Sequence, residues 1–221
     1  MKHAFSRTLG LLAAALAMLS LLGAAGAAEV QSRDQALAGL SSQDASQRRD
    51  AAVSLARVGL PADAELLLQA LYDEDDEVRI GAEIAVWQLW SRSGDSAVDD
   101  MLKSGIQMMD DGRMGPAVEM FTRVIERKPE FAEGWNKRAT AYYLMGDMEQ
   151  SLKDCDEVIK RNAHHFGALS GYGLIYVKLG DLERALGYFE RALDINPNMK
   201  GVEQTIELIR YKLGRDGKHE T

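Results

Sequence analysis

The stretch LSGYGLIYVKLGDLERALGYFERALDINP, residues 169–197, decides how this chain folds. When the C-terminal half of the sequence is shifted against itself by 34 residues, like residues fall on like residues. Glycines coincide at positions 112, 146 and 180, and small residues coincide at positions 105, 139 and 173. A period of 34 residues therefore occurs three times in the C-terminal half of the chain.

The three copies also share an alternation of small and large side chains at later positions. The small set is Ala117, Ser151 and Ala185, and the set that follows is Phe121, Cys155 and Phe189. This pattern resembles the tetratricopeptide repeat. The resemblance implies three pairs of antiparallel helices at about 98–131, 132–165 and 166–199. It also implies that Gly173 lets the first helix of its pair approach the second, opposite Ala185, and that Phe189 is buried.

Residues 29–96 repeat with a shorter period of about 30, which places Arg49 over Arg79. This segment resembles HEAT-like helical repeats, in which an Asp in the turn and an Arg early in the second helix bond along the stack. The resemblance implies pairing of Asp44 with Arg49 and of Asp75 with Arg79. Together the two repeat regions imply an all-α fold, a right-handed α-solenoid of stacked antiparallel helix pairs.

Beyond the third repeat, residues 198–214 carry apolar side chains at helical spacing, including Val202, Ile206 and Ile209. A stack of repeats needs a terminal helix that is apolar on one side and polar on the other. We therefore predict a capping helix over 198–214, followed by a disordered tail over 215–221.

Residues 1–28 have the layout of a secretory signal peptide. Lys2 and Arg7 precede an uncharged apolar run, and the small residues GAAGAA lead into Glu29. A membrane anchor is the competing interpretation, but the strongly apolar part is shorter than a membrane span requires. We expect cleavage near Ala28, a bacterial periplasmic location and no membrane insertion of the mature chain.

The composition excludes several classes of partner. The formal net charge of −8 argues against a sequence-independent hold on nucleic acid or anionic lipid, because either would need a basic surface. Cys155 is the single cysteine, so it cannot form an internal disulfide, and we expect it to be buried between Asp154 and Asp156.

No motif in the sequence predicts catalysis or a cofactor. His164 and His165 are adjacent in a turn between repeats and are expected to be solvated, since a zinc site needs three or four converging ligands. The run DEDDE at 73–77 lacks the pattern of a calcium loop and is better explained by helix capping. The methionines of residues 101–120 leave a Cu(I) site as an alternative to plastic core packing. We expect a non-enzymatic protein without a cofactor.

Binding is the favoured function, because stacked helix pairs present a concave groove lined by one face of each first helix. In tetratricopeptide proteins, this face takes the positions after the large residue and four and seven residues further on. Here the predicted groove residues are Leu102, Ile106, Met109, Asn136, Thr140, Tyr143, Ser170, Leu174 and Val177. We expect a protein or peptide of the cell envelope as partner. A structural spacer or a self-associating scaffold is the alternative, and the oligomeric state stays open.

Overall fold

A computed structural model describes residues 31–216, and the regular structure within that range is helical throughout. The predicted signal peptide and residues 217–221 of the predicted tail lie outside the described residues. The expected all-α architecture of stacked helices is confirmed. The chain divides into two compact units, one that ends at Leu89 and one that begins at Trp90.

Within the described residues, the first unit is built from four helices and one 3-10 turn. The helices are α1 (Arg33–Gly39), α2 (Ala45–Val58), α3 (Ala64–Ala70) and α4 (Asp76–Trp90), and the turn is Pro61–Asp63. The turn begins at Pro61, where the fixed φ of proline suits the start of a helix. The buried residues of α4 are nearly all apolar, so this helix forms the main core surface of this unit.

An ion pair links two turns of the first unit. The Arg48 guanidinium donates to both carboxylate oxygens of Asp73, at 2.6 and 2.8 Å, and also to the carbonyl of Ser42. The hydrogen bond from Arg48 holds the pKa of the Asp73 carboxyl below its usual range. Both side chains are largely buried, so the pair is protected from solvent screening.

The expected HEAT-like pairing of Asp44 with Arg49 is wrong, and the pairing of Asp75 with Arg79 stays a prediction. Asp44 accepts from the backbone N–H of Ser46 and caps α2, and Asp75 caps α4 in the same way. Arg49 instead forms an ion pair at the surface with a glutamate of α4. Arg79 donates to backbone carbonyls five and six residues before it, as Arg48 does, so the equivalent arginines are Arg48 and Arg79.

Up to residue 216, where the described part of the chain ends, the second unit contains seven helices. They are α5 (Ser96–Asp110), α6 (Met114–Arg127), α7 (Ala132–Met145), α8 (Met148–Arg161), α9 (Phe166–Leu179), α10 (Leu182–Ile195) and α11 (Lys200–Asp216). They form three antiparallel pairs followed by a single helix. The helices α7, α9 and α11 begin at residues 132, 166 and 200, so equivalent positions on them lie 34 residues apart.

The turns within the three pairs repeat the same backbone geometry. Gly112, Gly146 and Gly180 have φ values of +75°, +87° and +82°. This left-handed conformation strains any residue with a Cβ atom, which explains the glycine at every period. Asp147 and Asp181 then cap α8 and α10 by accepting backbone N–H groups of the first turn.

The single helix α11 closes the apolar end of the stack. Phe189 of α10 is buried in a cluster with Val202, Ile206 and Ile209, which confirms the predicted burial of Phe189 and the predicted apolar side of the cap. The helix ends at Asp216, two residues beyond the predicted boundary. No helix within residues 31–216 combines the length and the apolar character that crossing a bilayer demands.

Candidate functional site

The predicted groove residues lie on α5, α7 and α9, and they differ widely in exposure. On α5, Leu102 is only 2% exposed and packs with Val98, Phe121 and Phe131 in the core. The expectation that Leu102 lines the groove is therefore wrong, because its side chain is needed to fill the joint between the first two repeats. Ile106 and Met109 are partly buried against the same cluster.

On α7, one of the three predicted groove residues is buried and the other two are partly buried. Asn136 is 7% exposed, and its amide donates to the Glu133 carboxylate at 3.1 Å, so the expectation of an exposed groove amide is wrong. The hydroxyl of Thr140 donates to the Asn136 carbonyl at 2.9 Å. Tyr143 is half-buried, and burial raises the pKa of its phenol.

On α9, Ser170, Leu174 and Val177 are all partly accessible to solvent. Leu174 and Val177 pack at the edge of the apolar cluster that joins α10 to α11. These two side chains therefore present part of their surface to a partner while the remainder is supported by the core.

A buried polar cluster lies at the N-terminal ends of α7 and α9. Lys137 Nζ is 2.9 Å from Glu133 Oε1, and His165 Nε2 is 3.1 Å from Glu133 Oε2. His165 Nδ1 accepts the backbone N–H of Ala168 at 3.1 Å and so carries no proton. The tautomer that fits these two contacts donates from Nε2 to the carboxylate.

The charges around Glu133 determine its ionisation. Burial by itself raises the pKa of this carboxyl, but the Lys137 ammonium and the His165 hydrogen bond outweigh burial and lower its pKa to about 2. Glu133 is therefore an anion at neutral pH although it is almost completely buried. Buried charges persist when they are paired and hydrogen-bonded in this way.

Trp90 covers this cluster from outside the repeats. Its indole stacks on the His165 ring with centroids 4.6 Å apart and tilts against Phe166 at 5.1 Å. The expectation that His165 lies in a solvated turn is wrong, since the stacked indole and the α9 backbone bury it completely; His164 is exposed as expected.

Two groove residues on α11 were not predicted from the sequence. Leu208 and Tyr211 are 58% and 63% exposed, and they lie 34 residues after Leu174 and Val177. The same shift of 34 residues that defines the repeats identifies both, but treating α11 only as a cap leaves them out. The groove face therefore continues onto α11 with large exposed apolar side chains.

Two features that often serve catalysis, a metal-binding cluster and a reactive thiol, can be checked among the described residues. Within residues 31–216, no group of three or more His, Cys, Asp or Glu side chains is arranged to hold a metal ion. Cys155 is a buried free thiol, as expected, and burial together with its acidic neighbours raises its pKa to about 12. A thiol with this pKa stays protonated at neutral pH and is a poor nucleophile.

Comparison with known proteins relates the second unit to a repeat family. A family model described as tetratricopeptide repeat matches residues 130–198. A TPR repeat-containing protein of Rhizobium etli is 30% identical over 141 residues, which cover 64% of this chain and 68% of that protein. Anaphase-promoting complex subunit 3 of Schizosaccharomyces pombe is 29% identical over 102 residues, which cover 46% of this chain but only 15% of that protein.

Among solved structures, the second unit is similar in fold to the first TPR domain of Spaghetti (RPAP3), which was solved bound to an HSP90 peptide. The TM-score is 0.51 at 22% identity, with 53% of this chain and 93% of that chain covered. At this identity the likeness concerns the fold alone.

Proposed function

The chain belongs to the tetratricopeptide repeat family, and on that basis we propose that it is a non-enzymatic module that binds a protein or peptide in its groove. The observation that carries this proposal is the pair Leu208 and Tyr211, two large apolar side chains exposed at groove positions of α11. Exposed apolar groups that continue a structured surface are typical of interaction sites. The Spaghetti domain bound to an HSP90 peptide is a precedent for a peptide ligand on this fold.

The proposal also specifies a cellular location and a class of partner. The sequence of residues 1–28 supports export to the periplasm, where a protein or peptide of the cell envelope would be the ligand. Fusing these residues to a reporter tests this part: we expect export and loss of the peptide. An uncut N-terminus on the mature protein would contradict it.

The groove is tested with a partner identified by crosslinking in intact cells. We predict that Leu208→Ala combined with Tyr211→Ala weakens binding of the purified partner by at least about 2 kcal/mol, roughly thirtyfold, because anchoring aromatic and apolar residues dominate interfaces. Both side chains are exposed, so the melting temperature should change little. Isothermal titration calorimetry and thermal denaturation measure the two effects.

The matched control is Leu60→Ala combined with Tyr72→Ala, a Leu and a Tyr that are similarly exposed in the first unit. If the control weakens binding and the groove variant does not, the binding surface belongs to the first unit. If the purified protein instead forms larger species as its concentration rises, and the groove variant abolishes them, the protein is a self-associating scaffold.

A further inference from the structure

The helices α9 and α11 carry nearly the same sequence at the groove. Residues 174–180 read LIYVKLG and residues 208–214 read LIRYKLG, whereas the equivalent residues of α5 and α7 read IQMMDDG and TAYYLMG. Each of the last two helices therefore presents a Leu, a second apolar side chain three residues later and then a Lys. We name this surface the basic end of the groove; its residues are Leu174, Val177, Lys178, Leu208, Tyr211 and Lys212.

The two lysines of the basic end have no acidic partner among the described residues. Lys178 and Lys212 are both exposed, and neither makes an ion pair or a side-chain hydrogen bond with the side chains described within residues 31–214. Some exposed lysines elsewhere in the same unit are paired, such as Lys153 with Glu149 at 2.7 Å. The basic end thus presents two exposed cations on a protein whose net charge is −8.

The charge at this position changes sign along the groove. The residue equivalent to Lys178 is Asp110 on α5 and Leu144 on α7, so this position is acidic on the first groove helix and basic on the last two. A ligand with negative side chains is therefore repelled from the first repeat and attracted to the last two groove helices.

The position of Lys178 in the last turn of α9 also lets it interact favourably with the helix dipole. The dipole does not account for the exposure of Leu208 and Tyr211 beside Lys212. An apolar strip next to exposed cations is complementary to a ligand that carries apolar and acidic side chains together.

We propose that the basic end of the groove binds a peptide segment in which apolar and acidic side chains are interspersed. The apolar side chains of the segment pack on Leu174, Val177, Leu208 and Tyr211, and its Asp or Glu carboxylates pair with Lys178 and Lys212. This inference rests on the proposed function and specifies the ligand of the same groove.

The test measures fluorescence anisotropy of labelled twelve-residue peptides with capped ends, using the full chain without residues 1–28. One peptide carries four Leu and four Glu among Ser residues, and its partners carry Gln or Lys in place of Glu. We expect the Glu peptide to bind best, and Lys178→Gln with Lys212→Gln to weaken it about tenfold, since each exposed ion pair contributes about 0.2–1 kcal/mol. Charge reversal, Lys178→Glu with Lys212→Glu, should make the Lys peptide the better ligand.

The control is Lys153→Gln with Lys160→Gln, two exposed lysines of α8, which should leave all affinities unchanged. The proposal is overturned if the Glu and Gln peptides bind equally, if no capped peptide binds, or if binding needs a free C-terminal carboxylate. These outcomes are separable from failure of the proposed function. If Leu208→Ala with Tyr211→Ala releases the crosslinked partner while the lysine variants retain it, the groove binds a partner but not through these charges.

Discussion

At the scale of single residues, two side chains meet where the two helices of each repeat in the second unit pack together. Together these two side chains must fill a fixed volume. A Cβ atom placed on Gly173 would lie 2.5 Å from the Phe189 ring, and one on Gly105 would lie 2.4 Å from the Phe121 ring. The neighbour that requires glycine at 173 is therefore Phe189 and not Ala185. In the middle repeat, Ala139 replaces the glycine and Cys155 replaces the phenylalanine. A larger residue at the first position is therefore matched by a smaller residue at the second.

This steric relationship predicts opposite effects for two Gly→Ala substitutions. In an exposed helix position Gly→Ala stabilises by about 1 kcal/mol, and Gly187 in α10, which has nothing near its would-be Cβ, should show this gain. Gly173→Ala should instead destabilise by about 1–3 kcal/mol, because the added methyl collides with the Phe189 ring. Urea denaturation midpoints measure both. If the two variants shift the midpoint in the same direction, the close contact at Gly173 is wrong.

The buried carboxylate of Glu133 predicts how stability depends on pH. Its pKa is about 2 in the folded protein against an ordinary 4.5, so the stabilisation is fully present above pH 4.5 and is lost as the pH falls toward 2. We expect Glu133→Gln to cost up to about 3 kcal/mol at pH 7, and the gap to the parent to narrow steadily between pH 5 and pH 3. Glu149→Gln, at an exposed pair, serves as control in the same denaturation series. A gap that stays constant over this range would show that the charge of Glu133 does not stabilise the fold.

At the scale of helices, the resemblance of the 34-residue pattern to the tetratricopeptide repeat predicts the three pairs, and the helical spacing of apolar residues predicts the cap. The burial of Phe189 that the resemblance implies is confirmed, and the left-handed turns explain why glycine recurs at 112, 146 and 180. The groove was predicted less well, because exposure depends on neighbours that the repeat pattern does not contain. Asn136 and His165 are buried by the Glu133 cluster and by Trp90, and Trp90 belongs to no repeat.

The first unit shows a second limit of sequence comparison. Aligning Arg49 with Arg79 gives a plausible period, yet the structure makes Arg48 the equivalent of Arg79. Adjacent arginines and a cluster of acidic residues allow two registers that differ by one position. The choice is made by which guanidinium can reach Asp73 and the turn carbonyls, and this is a property of the folded backbone.

At the scale of the whole molecule, each of the two units has its own buried residues and should unfold as its own cooperative segment. We predict that Leu55→Ala, in the core of the first unit, accelerates amide hydrogen exchange in residues 31–89 and leaves α9 and α10 protected. Phe189→Ala should do the reverse, at a cost of about 3–5 kcal/mol to the second unit. Mass spectrometry of peptides from the exchanged protein measures the exchange rates in both units. If either variant accelerates exchange evenly along the chain, the protein unfolds as a single body.

The unequal division of volume at the joints also limits how this gene can change by recombination. Tyr172 follows the small Cys155, and Ile206 follows the large Phe189, so each repeat is matched to its own successor. A crossover that duplicated the third repeat would bring Phe189 against a second copy of Tyr172, and one that deleted it would leave Cys155 against Ile206. The first product would be overfilled and the second would contain a void, so packing opposes a change in the number or order of the repeats.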